Sequence, residues 1–293
     1  MTDPRTPRFP PEPPRGKPGH RSALIRILTA LVAIPVFVLV TLAGGWPFLL
    51  AVEAIVVLGA LEFFGILGPE RFGILRPAGV LGAASLPPLL ALAGAGAVAP
   101  HLAATAILIL AIQVHRSAAG RGPEEAGLAI LAVLYVGWLA SHLLLLRGIS
   151  GTPGEVGSRG ASAVLLAAAL TWSHDTGAYA VGIRLGRHAL LPRVSPAKTW
   201  EGAAGGLVCC LAGVLVARAW FAAFLSLPEA VGLAVGGTAA AVVGDLAESA
   251  LKRSAKVKDT GRFFPGHGGI LDRFDSFLFT APFVYYGLRI LGH

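Results

Sequence analysis

A chain of 293 residues with 55% hydrophobic and only 14% charged residues is too apolar for a water-soluble domain, in which charged residues run near ~25%, so its solvent is a bilayer. A formal charge of +8 does not by itself indicate nucleic acid, because basic residues in a membrane protein mark cytoplasmic loops and meet anionic headgroups or phosphates. Cys209 and Cys210 are the only cysteines, and as neighbours in an apolar run they exclude both an ordinary disulfide and a four-ligand zinc site.

Residues 1–22 hold seven prolines among scattered arginines, a composition that builds no core and reads as a disordered cytoplasmic tail. No small-residue cleavage site closes the apolar run that follows, so it reads as an uncleaved first span rather than a secretory signal. A spanning helix needs about 20 mostly apolar residues. Runs of that kind fall near 24–44, 46–67, 78–96, 99–115, 126–146, 161–184, 202–224, 229–250 and 276–291. The fold class predicted is all-α, a polytopic membrane bundle of about nine transmembrane helices. Eight is the alternative count, because Pro87 and Pro88 interrupt the third run and the fourth is short.

Basic residues test that count. With the N-terminus cytoplasmic, one set of segments holds 19 of the 24 lysines and arginines and the other set only Arg147, Arg159 and Arg289, with Arg26 and Arg218 inside spans. Such a split is the inside–outside asymmetry of a membrane protein; no basic and aromatic nucleic-acid module lies outside the spans. Gly202 with Gly206, and Gly232 with Gly236, have the four-residue spacing that lets membrane helices pack closely. Residues 23–160 read as N-terminal and middle spans, and 161–293 as the catalytic region.

Carboxylates inside spans are costly and mark sites, and Asp175, Asp245 and Glu248 are of this kind. Residues three, four and seven apart share a helix face, so Asp245, Glu248, Ser249 and Lys252 project together. From Ser249 to Asp275 charged residues crowd around the turn elements Pro265, Gly266, Gly268 and Gly269, which suit a backbone that approaches a ligand closely. Lysines and arginines there suit phosphate, and aspartates suit a divalent ion that holds phosphate oxygens. Four of the five lysines, Lys198, Lys252, Lys256 and Lys258, sit in two loops. In the earlier loop, Ser195 followed by Pro196 predicts a helix start with Ser195 as N-cap and Lys198 beside an anion-attracting helix end.

The segment from Ser249 to Asp275 resembles the signature of the phosphatidate cytidylyltransferases, or CDP-diacylglycerol synthases. The matching elements are Lys252-Arg253, Lys258-Asp259, Pro265-Gly266-His267-Gly268-Gly269, Asp272-Arg273 and Asp275. Upstream, Asp175 to Tyr179, the Ser195-Pro196 loop and Gly244-Asp245-Leu246 also resemble the family; Ala197 departs from it, where lysine is frequent. The resemblance implies transfer of CMP from CTP to phosphatidic acid, giving CDP-diacylglycerol and pyrophosphate for phospholipid biosynthesis. It implies Mg2+ on Asp245 and Asp272, with a second metal ion and a homodimer left open. Lys252, Arg253, Lys258 and Arg273 are expected at phosphates, with Ser195 and Lys198 in substrate binding. Asp175, Asp259, His267 and Asp275 are expected in the wider catalytic site, on the cytoplasmic side of a bacterial inner membrane. The competing readings are a CTP-dependent polyprenol kinase, a cytidylyltransferase for archaeal ether lipids and a transporter. Against the transporter, no inverted repeat is apparent and the charges gather at one membrane face.

Overall fold

The computed structural model describes residues 20–118, 120–150, 159–257, 259–261 and 268–293. The proline-rich tail up to residue 19, Lys258 and His267 lie outside the described residues.

The apolar runs become helices: α1 (His20–Ala43), α2 (Gly45–Ile66), α3 (Leu75–Ala84), α4 (Leu86–Ala93), α5 (Val98–Ser117), α6 (Glu124–Ala132), α7 (Leu139–Arg147), α8 (Arg159–Leu185), α9 (Trp200–Trp220), α10 (Leu227–Ser254) and α11 (Leu271–Ile290). A π-helical turn over Val133–Trp138 joins α6 to α7 without a break. Among the described residues, 6 helical segments are long and apolar enough to cross a membrane: Gly45–Ile66, Leu75–Ala93, Ala95–Ser117, Glu124–Arg147, Trp200–Trp220 and Leu227–Ser254. The outward faces are apolar too, with Leu92 77% and Val114 70% exposed. Such a surface is at home against acyl chains and would aggregate in water. The molecule is therefore a helical membrane bundle.

Pro87 and Pro88 fall in the first turn of α4, where the N–H that proline lacks has no intrahelical partner in any case. They break α3 from α4 and leave each piece intact. Glycine sets how closely α8 and α9 approach: a Cβ on Gly177 would stand 2.5 Å from Cys209 Cβ, and one on Gly206 2.5 Å from the His174 ring. Gly202 lies on the same seam, where its Cβ would stand 3.0 Å from Ala178 O. The second glycine pair behaves differently, because Gly236 packs on Phe283 whereas a Cβ on Gly232 would meet nothing within 4 Å. Both cysteines are free, and Cys210 is buried with its Sγ 3.5 Å from Ala234 O.

One expectation needs correction. Within the all-α bundle, β1 (Ala189–Leu191) and β2 (Ser195–Thr199) form a short antiparallel hairpin with Ala189 opposite Thr199 and Leu191 opposite Ser195. Ser195 is accordingly a buried strand residue and not a helix N-cap. The physical reason is pairing: Pro196 holds Ser195 extended, which suits an N-cap and a strand alike, and pairing with Ala189–Leu191 selects the strand, where Pro196 needs no N–H on a two-stranded edge. The helix starts four residues later, where Thr199 is extended (φ −126°, ψ 154°) and its Oγ1 accepts from Gly202 N at 3.1 Å.

Further along the chain, Ser226 and Glu229 form a capping box that starts α10. That helix ends in a turn where Lys256 N and Val257 N donate to Arg253 O and Lys252 O. Lys256 adopts a left-handed φ of 56° there, with its side chain exposed, the usual geometry of a helix C-terminus.

Candidate active site

The α10 face predicted from spacing meets the first turn of α11. Gly244 permits it: a Cβ there would lie 2.7 Å from Asp275 O. Asp245, Glu248 and Asp275 each then offer a carboxylate oxygen, and these oxygens all lie within 4.8 Å of one another. Glu248 is 1% exposed; its Oε2 contacts Lys252 Nζ at 2.5 Å, and its Oε1 is buried with no hydrogen-bond partner among the described residues. This is no surface ion pair. A buried, unpartnered carboxylate oxygen is costly, and a divalent cation bridging the three acids would satisfy it at ordinary oxygen-ligand spacing.

Lys252 also reaches Asp272 Oδ1 at 2.9 Å. The other oxygen of Asp272 accepts from Thr260 N at 2.9 Å, Thr260 Oγ1 at 3.0 Å and Gly269 N at 2.7 Å. Asp272 thus ties the loop to α11 and adjoins the three-carboxylate group through the shared ammonium. From β2, Lys198 Nζ lies 2.6 Å from Asp245 Oδ1 and donates to Ser249 Oγ at 3.3 Å. Arg253 Nε donates to Val194 O at 3.3 Å and holds the hairpin against α10. The hairpin is fixed from its other side by Glu201, whose Oε2 accepts from the Arg187 and His188 amides at 3.1 and 3.2 Å.

These elements enclose a cavity of about 360 Å³. Of the residues expected from sequence, Asp175, Ser195, Lys198, Asp245, Lys252, Arg253, Asp259, Asp272 and Asp275 line it. Asp175 enters from α8 and accepts from Ser276 Oγ at 3.5 Å. Arg273 is exposed on the first turn of α11 and is not among the lining residues. Among the described residues the lining carries five carboxylates against three cationic side chains. An anionic ligand alone would be repelled there, whereas an anion accompanied by divalent cations would be held by both signs. A larger cavity of about 810 Å³, between the ends of α2, α4, α7 and α11, contains Arg147, Arg289 and His293 and, among the described residues, no Asp or Glu side chain.

The match to the model of the cytidylyltransferase family runs over residues 24–291. The chain belongs to the cytidylyltransferase family. It is 34% identical over 279 residues to the phosphatidate cytidylyltransferase of Bacillus subtilis (strain 168), which covers 91% of this chain and 98% of that protein. The Synechocystis protein of the same name is also 34% identical, over 302 residues, with 91% and 96% covered. That of Staphylococcus saprophyticus is 33% identical over 266 residues, with 88% and 96% covered. The likeness therefore extends through the N-terminal helices, well beyond the signature segment.

Two residues of this cytidylyltransferase bear on the site without belonging to any motif. Glu62 of α2 accepts from Ile270 N and Leu271 N at 3.0 Å each, and its Oε2 lies 3.2 Å from Thr260 Oγ1, whose one proton it shares with Asp272. Tyr135, in the π turn, is 8% exposed, packs on Phe63 and Phe279, and has a buried hydroxyl with no hydrogen-bond partner among the described residues. The sequence carries a cue for Glu62, since a carboxylate in an apolar span is a site candidate by default. None exists for Tyr135.

Proposed function

We propose that this membrane nucleotidyltransferase moves the cytidylyl group of CTP onto phosphatidate, giving CDP-diacylglycerol and pyrophosphate. The observation that carries the reading is the acid-rich cavity at the helix α10–α11 junction, flanked by Lys198, Lys252 and Arg253, in a chain whose relatives are phosphatidate cytidylyltransferases. Phosphatidate is a phosphate monoester and already nucleophilic near neutral pH. Its oxygen attacks the α-phosphorus of CTP, a new P–O bond forms, and the bond to the β-phosphate breaks to release pyrophosphate. Little base catalysis is needed; charge screening and alignment are.

The residues that would hold a divalent cation, magnesium by this reading, are Asp245, Glu248 and Asp275, with Asp272 the candidate carboxylate for a second ion. Bound there, the cation supplies neutralisation of triphosphate charge. Lys198 and Lys252 turn from their carboxylate partners toward phosphate oxygens, and Arg253 does so from the hairpin side. Arg273 and, beyond the described residues, Lys258 are assigned to the same anions, with Ser195 in substrate binding. Asp175, Asp259 and His267 belong to the wider site.

Detergent-solubilised protein given CTP labelled in its cytosine ring, phosphatidate and magnesium should form a lipid-soluble labelled product with one pyrophosphate per turnover. Release of labelled CDP instead would identify a kinase and overturn the reading.

The finer topology belongs to the same proposal: nine spans, counting α3 with α4 and α6 with α7, a cytoplasmic N-terminus, the tail 1–22 and segment 249–275 on the cytoplasmic face, and residues 161–293 as the catalytic region. It is supported by the basic-residue asymmetry. A cysteine introduced at Arg262, in a background without Cys209 and Cys210, should resist an impermeant thiol reagent in intact cells and react after permeabilisation. Labelling in intact cells would invert the topology.

A further inference from the structure

The N-terminal end of α11 carries the chemistry, yet its own residues do not cap it. Ile270, at the N-cap position, has helical geometry and no side-chain bond to offer. The first amides of a helix are orphan donors that attract negative charge. Here Gly269 N goes to Asp272, and Ile270 N and Leu271 N go to the two oxygens of Glu62, which stands 208 and 209 residues earlier in the chain.

Thr260 Oγ1 lies within bonding distance of both Glu62 Oε2 and Asp272 Oδ2, at 3.2 and 3.0 Å. One carboxylate therefore touches the loop at Thr260, past the end of α10, and at Ile270, where the chain enters α11. Gly261 and Gly269 owe their lack of a side chain to this grip, since a Cβ on either would collide with the Glu62 carboxylate. Just below, Gly59 packs on the Leu271 side chain. Glu62 is not among the residues that line the 360 Å³ cavity; both of its oxygens are engaged by the α11 amides, so its effect on the site runs through α11.

We infer that Glu62 is a positioning residue for cytidylyl transfer: from α2 it caps α11 and so fixes Asp272 and Asp275 against Asp245 and Glu248. The inference rests on the function proposed above and assigns the N-terminal helices a part in the site.

Outer partners of this kind are typically worth about 10–100-fold in activity. In Glu62→Gln one amide nitrogen faces a backbone donor, so one grip is lost at nearly constant volume. Purified Glu62→Gln should lose kcat by about 10–100-fold with little change in KM for phosphatidate. Glu62→Asp, which keeps two acceptor oxygens, should recover part of it, and Glu70→Gln, exposed in the 3-10 turn that follows α2, should behave as wild type.

Hydrogen exchange followed by mass spectrometry reads the grip without reference to activity. Peptides over residues 268–275 should exchange faster in Glu62→Gln while α5 and α8 keep wild-type protection. Unchanged exchange at 268–275, or turnover within about twofold of wild type, would overturn the inference. Exchange that accelerates throughout the bundle would also overturn it, reducing Glu62 to a general stabiliser. Should the wild-type protein itself form no lipid-soluble product, the proposed reaction fails, and the exchange data still decide whether Glu62 holds α11.

Discussion

Asp275→Asn is expected to insert normally, to be at least as stable as the wild type without divalent cation, and to turn over about a thousandfold more slowly, equivalent to about 4 kcal/mol of transition-state stabilisation. The two halves of that expectation have one cause. Asp275 offers its oxygen within 4.8 Å of those of Asp245 and Glu248, and like charges at that spacing repel by on the order of 3 kcal/mol per ionised pair at an effective dielectric near 20. Asparagine relieves the repulsion and removes a ligand together. Asp245→Asn should lose turnover similarly but without the gain in stability, because Asp245 also balances Lys198 at 2.6 Å. Magnesium titration of turnover, with thermal melts of each variant in the presence and absence of the ion, separates these effects. Wild-type rates of Asp275→Asn at limiting magnesium would remove Asp275 from the ligand set, and a cation-free Asp275→Asn that melts below wild type would mean the three acids do not repel in the resting protein.

Much of this site is local in sequence, and that part is legible. Helix positions follow from span length, and the shared face of Asp245, Glu248, Ser249 and Lys252 follows from helical periodicity. Which acid joins Asp245 and Glu248 is not local. Asp272 sits in the first turn of α11 and Asp275 three residues further on; the α10–α11 approach at Gly244 brings Asp275 to the group and leaves Asp272 to Lys252, Thr260 and Gly269. No periodicity within either helix encodes that. Ser195-Pro196 is ambiguous for a different reason: proline suits the first turn of a helix and also forces its predecessor into extended geometry, and pairing with Ala189–Leu191 selects the second. Glu62 is legible as an intramembrane carboxylate but not as a cap, because its partners lie 198 to 209 residues away.

Lys252→Met should cost the bundle about 3–5 kcal/mol, and Glu248→Gln introduced beside it should return most of that loss. The Lys252 side chain is 17% exposed and its ammonium sits between Glu248 Oε2 at 2.5 Å and Asp272 Oδ1 at 2.9 Å, on side chains that are 1% and 7% exposed. Methionine fills the same volume and leaves two buried negative charges facing each other, the circumstance in which breaking a buried ion pair is expensive. Glutamine at 248 removes one of those charges, so the double variant has a single carboxylate left, and that one retains the Thr260 and Gly269 donors on its other oxygen. Unfolding of the two single variants and the double variant in one detergent gives the coupling directly. Turnover should stay at least about a hundredfold down in both Lys252 variants, since the ammonium that meets phosphate is gone from each. A Lys252→Met variant as stable as wild type would mean that Glu248 and Asp272 do not carry their charges in the resting protein. The residues would then lie close together without forming a charge network, and the lysine would be held by the helix alone.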